Sequence, residues 1–403
     1  MTPPAGNLLV RRIGRLLTMA GPPVESAAVV VREGRVVWSG RERDLRTGGD
    51  HDLDLPATTP DLPELDAEGA AVLPGFVDPH THLVWAGSRR EEFVARMAGE
   101  RYDGGGIGVT VTATRAASTE ELVALTVARA QVALRAGTTT MEIKTGYGLA
   151  RAEELRLLDV IRLTAGRVPL RIEPTYLGAH VVPAGRDRAG YVAEVVDTLP
   201  AARRAGARWC DVFCDSGAFS VAETAEILRA AEAAGLGGRL HADQLDRIGA
   251  TPLAAATGCA SADHLDHVDA GGAAAMAAAG TVGVLVPTAT LSTRAGDWGQ
   301  AAILAAAGVT IALATDCNPG TSWCESMPYV VSLACLGLGM TVEQALTAAT
   351  RGSAAALRRN DVGHLGIGAY GDLVVLAAEH EADLVAHLGA PAVRRTVVGG
   401  VPV

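Results

Sequence analysis

Eight short apolar segments alternate with Ala- and Leu-rich segments over residues 71–360 of this 403-residue chain. Short apolar runs bounded by turn residues are typical of buried strands, and their alternation with helical patterns is typical of βαβ units and a parallel sheet. The strand candidates are AVLPGFVDPHTHL, TTMEIKTGYG, VPLRIEPTYLGAH, RWCDVFCDSG, GRLHADQL, CASADHLDH, TVGVLVPTAT and VTIALATDCNPG. Eight such units close a (β/α)8 barrel, so the sequence predicts an α/β fold of this type.

The segments between the strand candidates carry helix signals. STEELVALTVARAQVALRAG and VAETAEILRAAEAAG begin with Ser or acidic residues and end at Gly, and TVEQALTAATRGSAAALRR is a further amphipathic helix. The alanine-rich AGGAAAMAAAG is close to a low-complexity segment. Because it lies between two strand candidates, we expect a packing helix there and not a linker.

The two ends of the chain differ from its middle. Residues 1–70 contain short β-branched runs, and in AAVVVREGRVVWSG the pair Glu33-Gly34 predicts a hairpin turn. After Asn360 the chain returns to short strands, GDLVVLAA and VRRTVVGGVPV. We therefore predict that residues 1–70 and 361–403 build one small β-sandwich domain beside a barrel of residues 71–360.

The composition argues against several classes of function. The chain is 49% hydrophobic and 20% charged, so it can bury a large core. A net charge of −10 disfavours nucleic acid or an anionic membrane as the main partner, because both select basic surfaces. The apolar runs are too short or too interrupted for a signal peptide or a membrane span, which predicts a cytoplasmic protein. The six cysteines form no disulfide framework or paired C-x-x-C spacing, and most are expected to be buried.

Polar side chains follow the apolar part of several strand candidates. His80 and His82 end the first candidate and share one face, since they are residues i and i+2 of a strand. His241 and Asp316 end the fifth and the eighth. Barrel enzymes place their catalytic groups at these strand ends, and a buried His or Asp without a partner is costly. Any one histidine could be an ordinary core or surface residue, but the set together predicts a site.

The predicted donor set limits the choice of metal. Three imidazoles and one carboxylate suit Zn²⁺ or Fe²⁺, which accept nitrogen and oxygen ligands, and they match Ca²⁺ or Mg²⁺ poorly. The residues do not distinguish zinc from iron. His180 and His264 occupy matching positions at the ends of the third and sixth strand candidates.

These residues carry a family resemblance. VLPGFVDPHTHL, a later strand-ending His and ATD look like the amidohydrolase superfamily of metal-dependent hydrolases. HTHLVWAGSRREEF, YDGGGIG, KTGYGL, YLGAHVVP, LHADQL, SADHL and ATDCNPGTS, in this order, resemble the imidazolonepropionase family over almost the whole chain. The resemblance implies metal-dependent hydrolysis of the cyclic amide of 4-imidazolone-5-propanoate to N-formimino-L-glutamate in histidine degradation. It also implies a barrel flanked by a small β domain, and a homodimer.

Carried over residue by residue, the resemblance makes His80, His82, His241 and Asp316 the ligands of one zinc or iron (Fe²⁺ or Fe³⁺) ion. Lys144, in EIKTGYG, raises an alternative, because some relatives in the superfamily bridge two metals with a modified lysine at a strand end. In the imidazolonepropionase pattern this lysine is not a ligand, so a single metal is predicted.

The resemblance also assigns contacts with the substrate. Arg89 is expected to hold the propionate through two parallel hydrogen bonds, with a surface ion pair to Glu91 or Glu92 as the alternative. The next residue, Arg90, is expected to be solvated. Tyr147 and His180 are expected to contact the ring, and simple packing of the tyrosine at the barrel rim is the alternative.

Two loops are expected to complete the substrate site. Asn318, Gly320 and Thr321 form a turn after the Asp316 ligand, with donors that could hold the substrate or product carboxylate. The glycine-rich YDGGGIG lacks the spacing of phosphate-binding and dinucleotide-binding loops. It predicts a mobile loop over the barrel mouth, from which Tyr102 reaches the ligand.

Three residues are expected to take part in catalysis. His264 is a strand-end imidazole that is not needed as a ligand, so it is the candidate for carrying a proton to the leaving ring nitrogen. Asp316 is expected to assist as a ligand that also accepts a proton. Some imidazolonepropionases have Glu three residues after the third His ligand, where this chain has Gln244. Glutamine cannot act as a base, so we expect Gln244 to orient the water or to hydrogen-bond the ring.

Two other functions are compatible with the residues. A purine or pyrimidine deaminase of the same superfamily would share the ligand pattern. A barrel that only binds a metal or an imidazole-like ligand would have no catalytic activity.

Overall fold

The structure, a computed structural model, describes residues 5–45, 62–100, 106–294 and 298–403. Tyr102 lies outside these residues, and its contact with a ligand stays a prediction. Among the helices in the described part of the chain, none combines the length and the apolar character that a membrane span requires.

Eight parallel strands form the central sheet, and they pair in the order of the chain. They span Phe76–Asp78, Thr138–Lys144, Arg171–Ala179, Trp209–Cys214, Gly237–Ala242, Ser261–His264, Val282–Leu285 and Ile311–Leu313. Each predicted strand segment overlaps one of them, with two strands beginning one residue earlier than predicted. The main-chain N–H of Asp316 donates to the carbonyl of His80 at 3.0 Å, and that of His82 donates to the carbonyl of Cys317 at 3.0 Å. These bonds join the two edges of the sheet, so the predicted barrel is confirmed.

The first predicted strand segment is divided between two sheets. Ala71–Pro74 pairs with strands from the chain ends, whereas Phe76–Asp78 pairs with the second barrel strand. Gly75 lies between them, where a Cβ atom would come within 2.2 Å of the Thr139 hydroxyl. Residue 71, predicted as the first of the barrel, therefore begins a strand of the other sheet. The domain boundaries themselves stay predictions.

Helices connect the barrel strands and cover the sheet. They span Arg90–Met97, Ile107–Ala116, Thr119–Arg135, Arg151–Ala165, Arg188–Arg204, Val221–Ala233, Ala250–Ala256, Ala270–Ala279, Pro287–Thr293, Gln300–Ala307, Met327–Leu336, Val342–Thr347 and Ser353–Ala356. The predicted helix starts are capped: the Ser118 hydroxyl accepts the N–H of Glu121 at 3.1 Å, and Ser220 and Glu223 form a capping box. The alanine-rich segment is a helix, as predicted, with Met276 buried.

The last predicted helix is interrupted at its centre. A π-helical turn at Ala348–Gly352 separates the α-helical segments Val342–Thr347 and Ser353–Ala356. Gly352 lies against the eighth barrel strand, where a Cβ atom would come within 2.0 Å of the carbonyl oxygen of Ile311. A widened turn and a glycine therefore accompany the closest approach of this helix to the barrel.

Strands from both chain ends form the second sheet, as predicted. They span Leu8–Leu16, Val24–Arg32, Arg35–Arg41, Glu64–Asp66, Ala71–Pro74, Leu373–Leu376, Val393–Val398 and Val401–Pro402; a 3₁₀ turn at Glu42–Leu45 and a short helix at Asp383–Ala386 flank them. Glu33 and Gly34 have φ angles of 49° and 76°, as a type I′ hairpin turn requires. The predicted hairpin is therefore confirmed.

A buried ion pair connects the barrel to this second sheet. Arg171 in the third barrel strand places Nε 2.7 Å and Nη2 3.1 Å from the two carboxylate oxygens of Asp372. The same carboxylate accepts the main-chain N–H of Gly399 at 2.7 Å. The Arg171 guanidinium also stacks on Tyr370, with its Cζ 3.3 Å from the ring centroid. A buried ion pair therefore joins the barrel to the second sheet.

Replacing Arg171 with Met should lower the free energy of unfolding by about 3–5 kcal/mol, because the change leaves Asp372 buried without its cation. Urea unfolding followed by circular dichroism measures the loss. Arg162→Met is the matched control, since Arg162 pairs with Asp159 on the exposed surface of a helix. That variant should lose less than about 1 kcal/mol. Equal losses in the two variants would contradict a stabilising role for the buried pair.

Candidate metal centre

The four predicted ligands meet at the carboxyl end of the barrel. His80 and His82 follow the first strand, His241 lies in the fifth, and Asp316 follows the eighth. The Nε2 atom of His82 lies 3.3 Å from Nε2 of His80 and 3.3 Å from Nε2 of His241. One oxygen of Asp316 lies 3.5 Å from Nε2 of His80 and 3.4 Å from Nε2 of His82. All four side chains are buried.

These separations fit one shared ion. Ligand atoms about 2.1 Å from an ion in tetrahedral geometry lie roughly 3.4 Å apart. In the tautomers that leave Nε2 unprotonated, the facing lone pairs would repel one another without a cation between them. Burial also raises the pKa of the Asp316 carboxyl well above its ordinary value, a cost that a bound cation would offset. The cluster could therefore hold a metal ion, and its three nitrogens and one carboxylate are a donor set typical of zinc or iron.

Two buried carboxylates orient the ligand rings from behind. An oxygen of Asp263 lies 2.6 Å from Nδ1 of His80. Both oxygens of Asp211 lie 3.1 Å from Nδ1 of His241. A ring that donates its proton from Nδ1 keeps a lone pair on Nε2, the atom that faces the site. The two carboxylates therefore favour the tautomer that a metal ligand needs.

A cavity of about 250 Å³ opens beside the ligands. Its walls include most of the predicted site residues, namely His82, Arg89, Tyr147, His180, His241, Gln244, His264, Asp316, Asn318 and Thr321. Apolar side chains, including Phe213 and Val181, complete the wall. A cavity of this volume suits a small metabolite, and its wall combines polar and apolar side chains.

His180 and Tyr147 lie against the ligand His82. The His180 ring stacks on that of His82, with centroids 5.3 Å apart and 22° between the planes. Its Nδ1 donates to the carbonyl of Gly146 at 2.9 Å. Burial lowers the pKa of His180 to about 3, so the ring is neutral at pH 7. The Tyr147 ring lies 5.4 Å from that of His180 and 6.0 Å from that of His82.

His264 lies beside two of the ligand rings. Its centroid is 5.1 Å from that of His241 and 5.2 Å from that of His80. Among the described residues, its Nδ1 has no hydrogen-bond partner, and burial lowers its pKa well below the ordinary value. The three histidines are also close enough to hold an ion together. The geometry thus permits His264 to act as a ligand or as a proton carrier, and its predicted catalytic role stays a prediction.

The backbone is strained at two residues of the cavity wall. His264 has a φ angle of 75°, and Asp316 has one of 50°. Residues other than glycine seldom adopt this left-handed region, which costs roughly 1–3 kcal/mol and is concentrated at functional sites. The bond from the Asp316 N–H to the carbonyl of His80 holds Asp316, and a bond of 3.1 Å from the N–H of Leu265 to the carbonyl of Ala242 holds the chain directly after His264.

Arg89 both lines the cavity and forms an ion pair, the two alternatives that the sequence predicted for it. It is 6% exposed and lines the cavity. Its Nε and Nη2 lie 2.8 and 2.7 Å from the carboxylate oxygens of Glu92, so it also forms the alternative ion pair. Arg90 is exposed, as predicted. The ion pair fixes one edge of the Arg89 guanidinium at the cavity wall.

The turn after Asp316 is held by its own side chains. The Asn318 amide donates to the carbonyl of Asp316 at 2.7 Å and to the Thr321 hydroxyl at 2.9 Å. Its oxygen accepts the N–H groups of Gly320 and Thr321, each at 2.8 Å. Gly320 packs against Arg89 and is not among the described residues that line the cavity. Asn318 therefore shapes the turn, and contact of these three residues with a carboxylate stays a prediction.

The loop that carries Gln244 is fixed through a buried aspartate. The N–H groups of Gln244 and Leu245 donate to one oxygen of Asp215 at 2.7 and 2.8 Å, and that of Asp246 donates to the other at 3.0 Å. The Gln244 side chain is half-buried and lines the cavity. Its position is compatible with the predicted role of orienting water or the ring.

Lys144 is engaged away from the ligand atoms. Its ammonium lies 2.8 Å from Glu142 and 2.7 Å from Asp211. This pairing favours a single ion over a bridge formed by a modified lysine. Cys317 is buried, as predicted for most of the cysteines, and burial raises the pKa of its thiol well above the ordinary value.

Sequence reasoning missed the carboxylates behind the ligands. Asp211 and Asp263 lie within the apolar segments RWCDVFCDSG and CASADHLDH. An acidic residue within a predicted buried strand was the available signal, because such a residue needs a partner. The sequence did not indicate that the partners would be His241 and His80.

Comparisons with known proteins assign the family. The chain matches the Amidohydrolase family model over residues 71–403. It is 47% identical over 406 residues to an imidazolonepropionase of Salinispora arenicola, with 98% of each chain covered. It is 42% identical over 416 residues to an imidazolonepropionase of Symbiobacterium thermophilum, with 98% of this chain and 96% of that protein covered.

Solved structures support the fold alone. An adenosine deaminase of Xanthomonas campestris with bound zinc has a TM-score of 0.73 and 19% identity, covering 99% of this chain and 93% of that one. An N-isopropylammelide isopropylaminohydrolase of Burkholderia multivorans has a TM-score of 0.68 and 21% identity, covering 99% of this chain and 98% of that one. The family model and the full-length relatives, by contrast, establish that the chain belongs to the imidazolonepropionase family of the amidohydrolases.

Proposed function

We propose that this chain hydrolyses the cyclic amide of 4-imidazolone-5-propanoate to N-formimino-L-glutamate, a step of histidine degradation, with one zinc or iron ion. Water adds to the ring carbonyl carbon, and the bond between that carbon and the ring nitrogen breaks. The observation that carries the proposal is the convergence of three imidazole nitrogens and a carboxylate beside a cavity of about 250 Å³. Full-length similarity to imidazolonepropionases supports the substrate.

The ion would be held by His80, His82, His241 and Asp316. A divalent ion at such a site supplies a Lewis acid and lowers the pKa of a water molecule towards neutrality. The protein fixes the ligand rings through Asp211 and Asp263 and excludes bulk water by burial.

His264 is proposed to accept the proton of the attacking water and to deliver it to the leaving ring nitrogen, with assistance from Asp316. The position of its ring beside His80 and His241 supports this role. Gln244 cannot take the proton, so its amide is proposed to orient the water or the ring. In this proposal His264 is the one imidazole that takes up and releases a proton during the reaction.

Substrate binding is assigned to the remaining wall of the cavity. Arg89 is proposed to bind the propionate, since its guanidinium is buried at the wall. Tyr147 and His180 contact the ring. The turn of Asn318, Gly320 and Thr321 supports the carboxylate, with Gly320 acting through its packing against Arg89. Tyr102 is proposed to reach the ligand from its loop.

We also propose a cytoplasmic homodimer, as the family resemblance implies, with a small molecule as the partner and neither nucleic acid nor a membrane.

The purified enzyme should open the imidazolonepropionate ring, and a chelator that removes the metal should abolish this activity. Zinc or iron should restore it, whereas Mg²⁺ should not, because the donor set suits nitrogen-binding ions. The substrate is generated in the assay from urocanate by urocanate hydratase, and elemental analysis identifies the metal. Release of ammonia from a purine or pyrimidine panel without ring opening would favour the deaminase instead. No bound metal, and no turnover after metal is restored, would favour a non-catalytic barrel.

His264→Ala should lower kcat by about 10²–10⁴-fold, the range expected on loss of a general acid–base group. Metal content measured in parallel should stay at the wild-type level. Turnover close to wild type would remove His264 from the proposed role, and loss of the metal would indicate that it is a ligand.

Arg89→Met should lower kcat/KM by about 10- to 100-fold, mainly through KM, because hydrogen bonds to charged groups contribute roughly 1.5–3 kcal/mol. Steady-state kinetics measures both constants. The matched control is Arg90→Met, since Arg90 is exposed beside it. An unchanged KM in the Arg89 variant, with wild-type thermal unfolding, would contradict the assignment.

A further inference from the structure

A second layer of charged side chains lies behind the metal ligands, and the proposed mechanism assigns no step to most of it. Its members are fully buried and come from the second, fourth, fifth and sixth barrel strands: Glu142, Lys144, Asp211, Arg239 and Asp263. Burying an ion pair seldom stabilises a fold more than a well-packed apolar substitute does. A buried cluster of this size therefore calls for an explanation other than stability.

Lys144 is at the centre of this layer. Its ammonium lies 2.8 Å from Glu142 Oε1 and 2.7 Å from Asp211 Oδ2, and it is 4.0 Å from Asp263 Oδ2. It is therefore shared among three carboxylates. Arg239, the other cation, lies 3.4 Å from Asp263 and donates to main-chain carbonyls of Ala356 and Pro79 at 2.8 and 2.7 Å.

Each carboxylate around Lys144 contacts the segment of a metal ligand. Asp211 faces the Nδ1 of His241 at 3.1 Å, and Asp263 faces that of His80 at 2.6 Å. The second oxygen of Glu142 accepts the main-chain N–H of Thr81 at 3.1 Å, between the two histidines that follow the first strand. One ammonium is thus connected through one carboxylate each to His80 and His241, and through Glu142 to the main chain between His80 and His82.

We propose that Lys144 is a positioning residue for the metal: it fixes the three carboxylates so that His80 and His241 present Nε2 lone pairs to one ion. The inference rests on the proposed metal site and deepens it. Without the ammonium, Asp211 would lose its cation and could turn away from His241. The ring would then be free to carry its proton on Nε2, where it blocks metal binding.

The test compares Lys144→Met with wild type in two measurements on the full-length chain. Competition with a chelator gives the affinity for Zn²⁺, which should fall by about 10- to 100-fold, the range seen when groups behind metal ligands are removed. Nitrogen-15 NMR of the metal-free protein labelled at histidine gives the tautomers. The His241 signal, assigned by its loss in a His241→Gln variant, should change from Nδ1–H towards Nε2–H.

Arg171→Met is the matched control, because it removes a buried cation from a carboxylate that does not contact a ligand segment. It should destabilise the fold but leave zinc affinity and the His241 tautomer unchanged. Equal losses of zinc affinity in both variants would show that Lys144 only stabilises the fold through its ion pairs, and would overturn the proposal.

Asp211→Asn keeps the proposal testable where Lys144→Met folds poorly. It should weaken Zn²⁺ binding and shift the His241 tautomer towards Nε2–H, as Lys144→Met does. The double variant should bind Zn²⁺ only slightly more weakly than Asp211→Asn alone. Additive effects, or a tautomer that does not change, would contradict the inference. Failure of wild type to bind Zn²⁺ at all would instead reject the proposed metal site, so the two failures are distinguishable.

Discussion

Closure of the barrel is the constraint on which the site depends. The two main-chain hydrogen bonds that join the first and eighth strands run between His80 and Asp316 and between His82 and Cys317. The junction of the first and eighth strands is the seam of the barrel. Three of the four proposed ligands therefore lie on this seam. A displacement that opened the seam would separate Asp316 from both histidines at once. The left-handed backbone of Asp316 is the local cost of this arrangement, which the closing bonds offset.

The buried layer behind the ligands carries an excess of acidic groups. Behind the ligands, the carboxylates of Glu142, Asp211 and Asp263 face the cations Lys144 and Arg239. With Asp316 added, the four acidic side chains of this group outnumber its two basic side chains by two. A divalent cation at the ligand atoms would balance that excess. A cation bound there would form one electrostatic unit with the buried layer, in which each part offsets the charge of the other.

Much of this arrangement was predictable, and the limits have a physical cause. All eight barrel strands and the convergence of His80, His82, His241 and Asp316 follow from local patterns, because parallel strands in a barrel direct their carboxyl ends to one rim. Pairings across the barrel leave no local signal: nothing near Asp211 in the chain indicates His241 or Lys144. The division of the first predicted strand at Gly75 and the π turn before Ser353 depend on close packing, which periodicity does not report.

The seam also fixes where the proposed carboxylate site lies relative to the metal. Arg89 follows the first strand, and Gly320 belongs to the turn after the eighth. Arg96 joins the two loops, since it lies 3.5 Å from Glu92, the partner of Arg89, and donates to the carbonyl of Gly320 at 2.9 Å. The guanidinium that would bind a propionate is therefore held by the same two chain segments that carry three ligands. A substrate held at one end by Arg89 would have its ring at a fixed distance from the ligand atoms, which is what selection of one small cyclic amide requires.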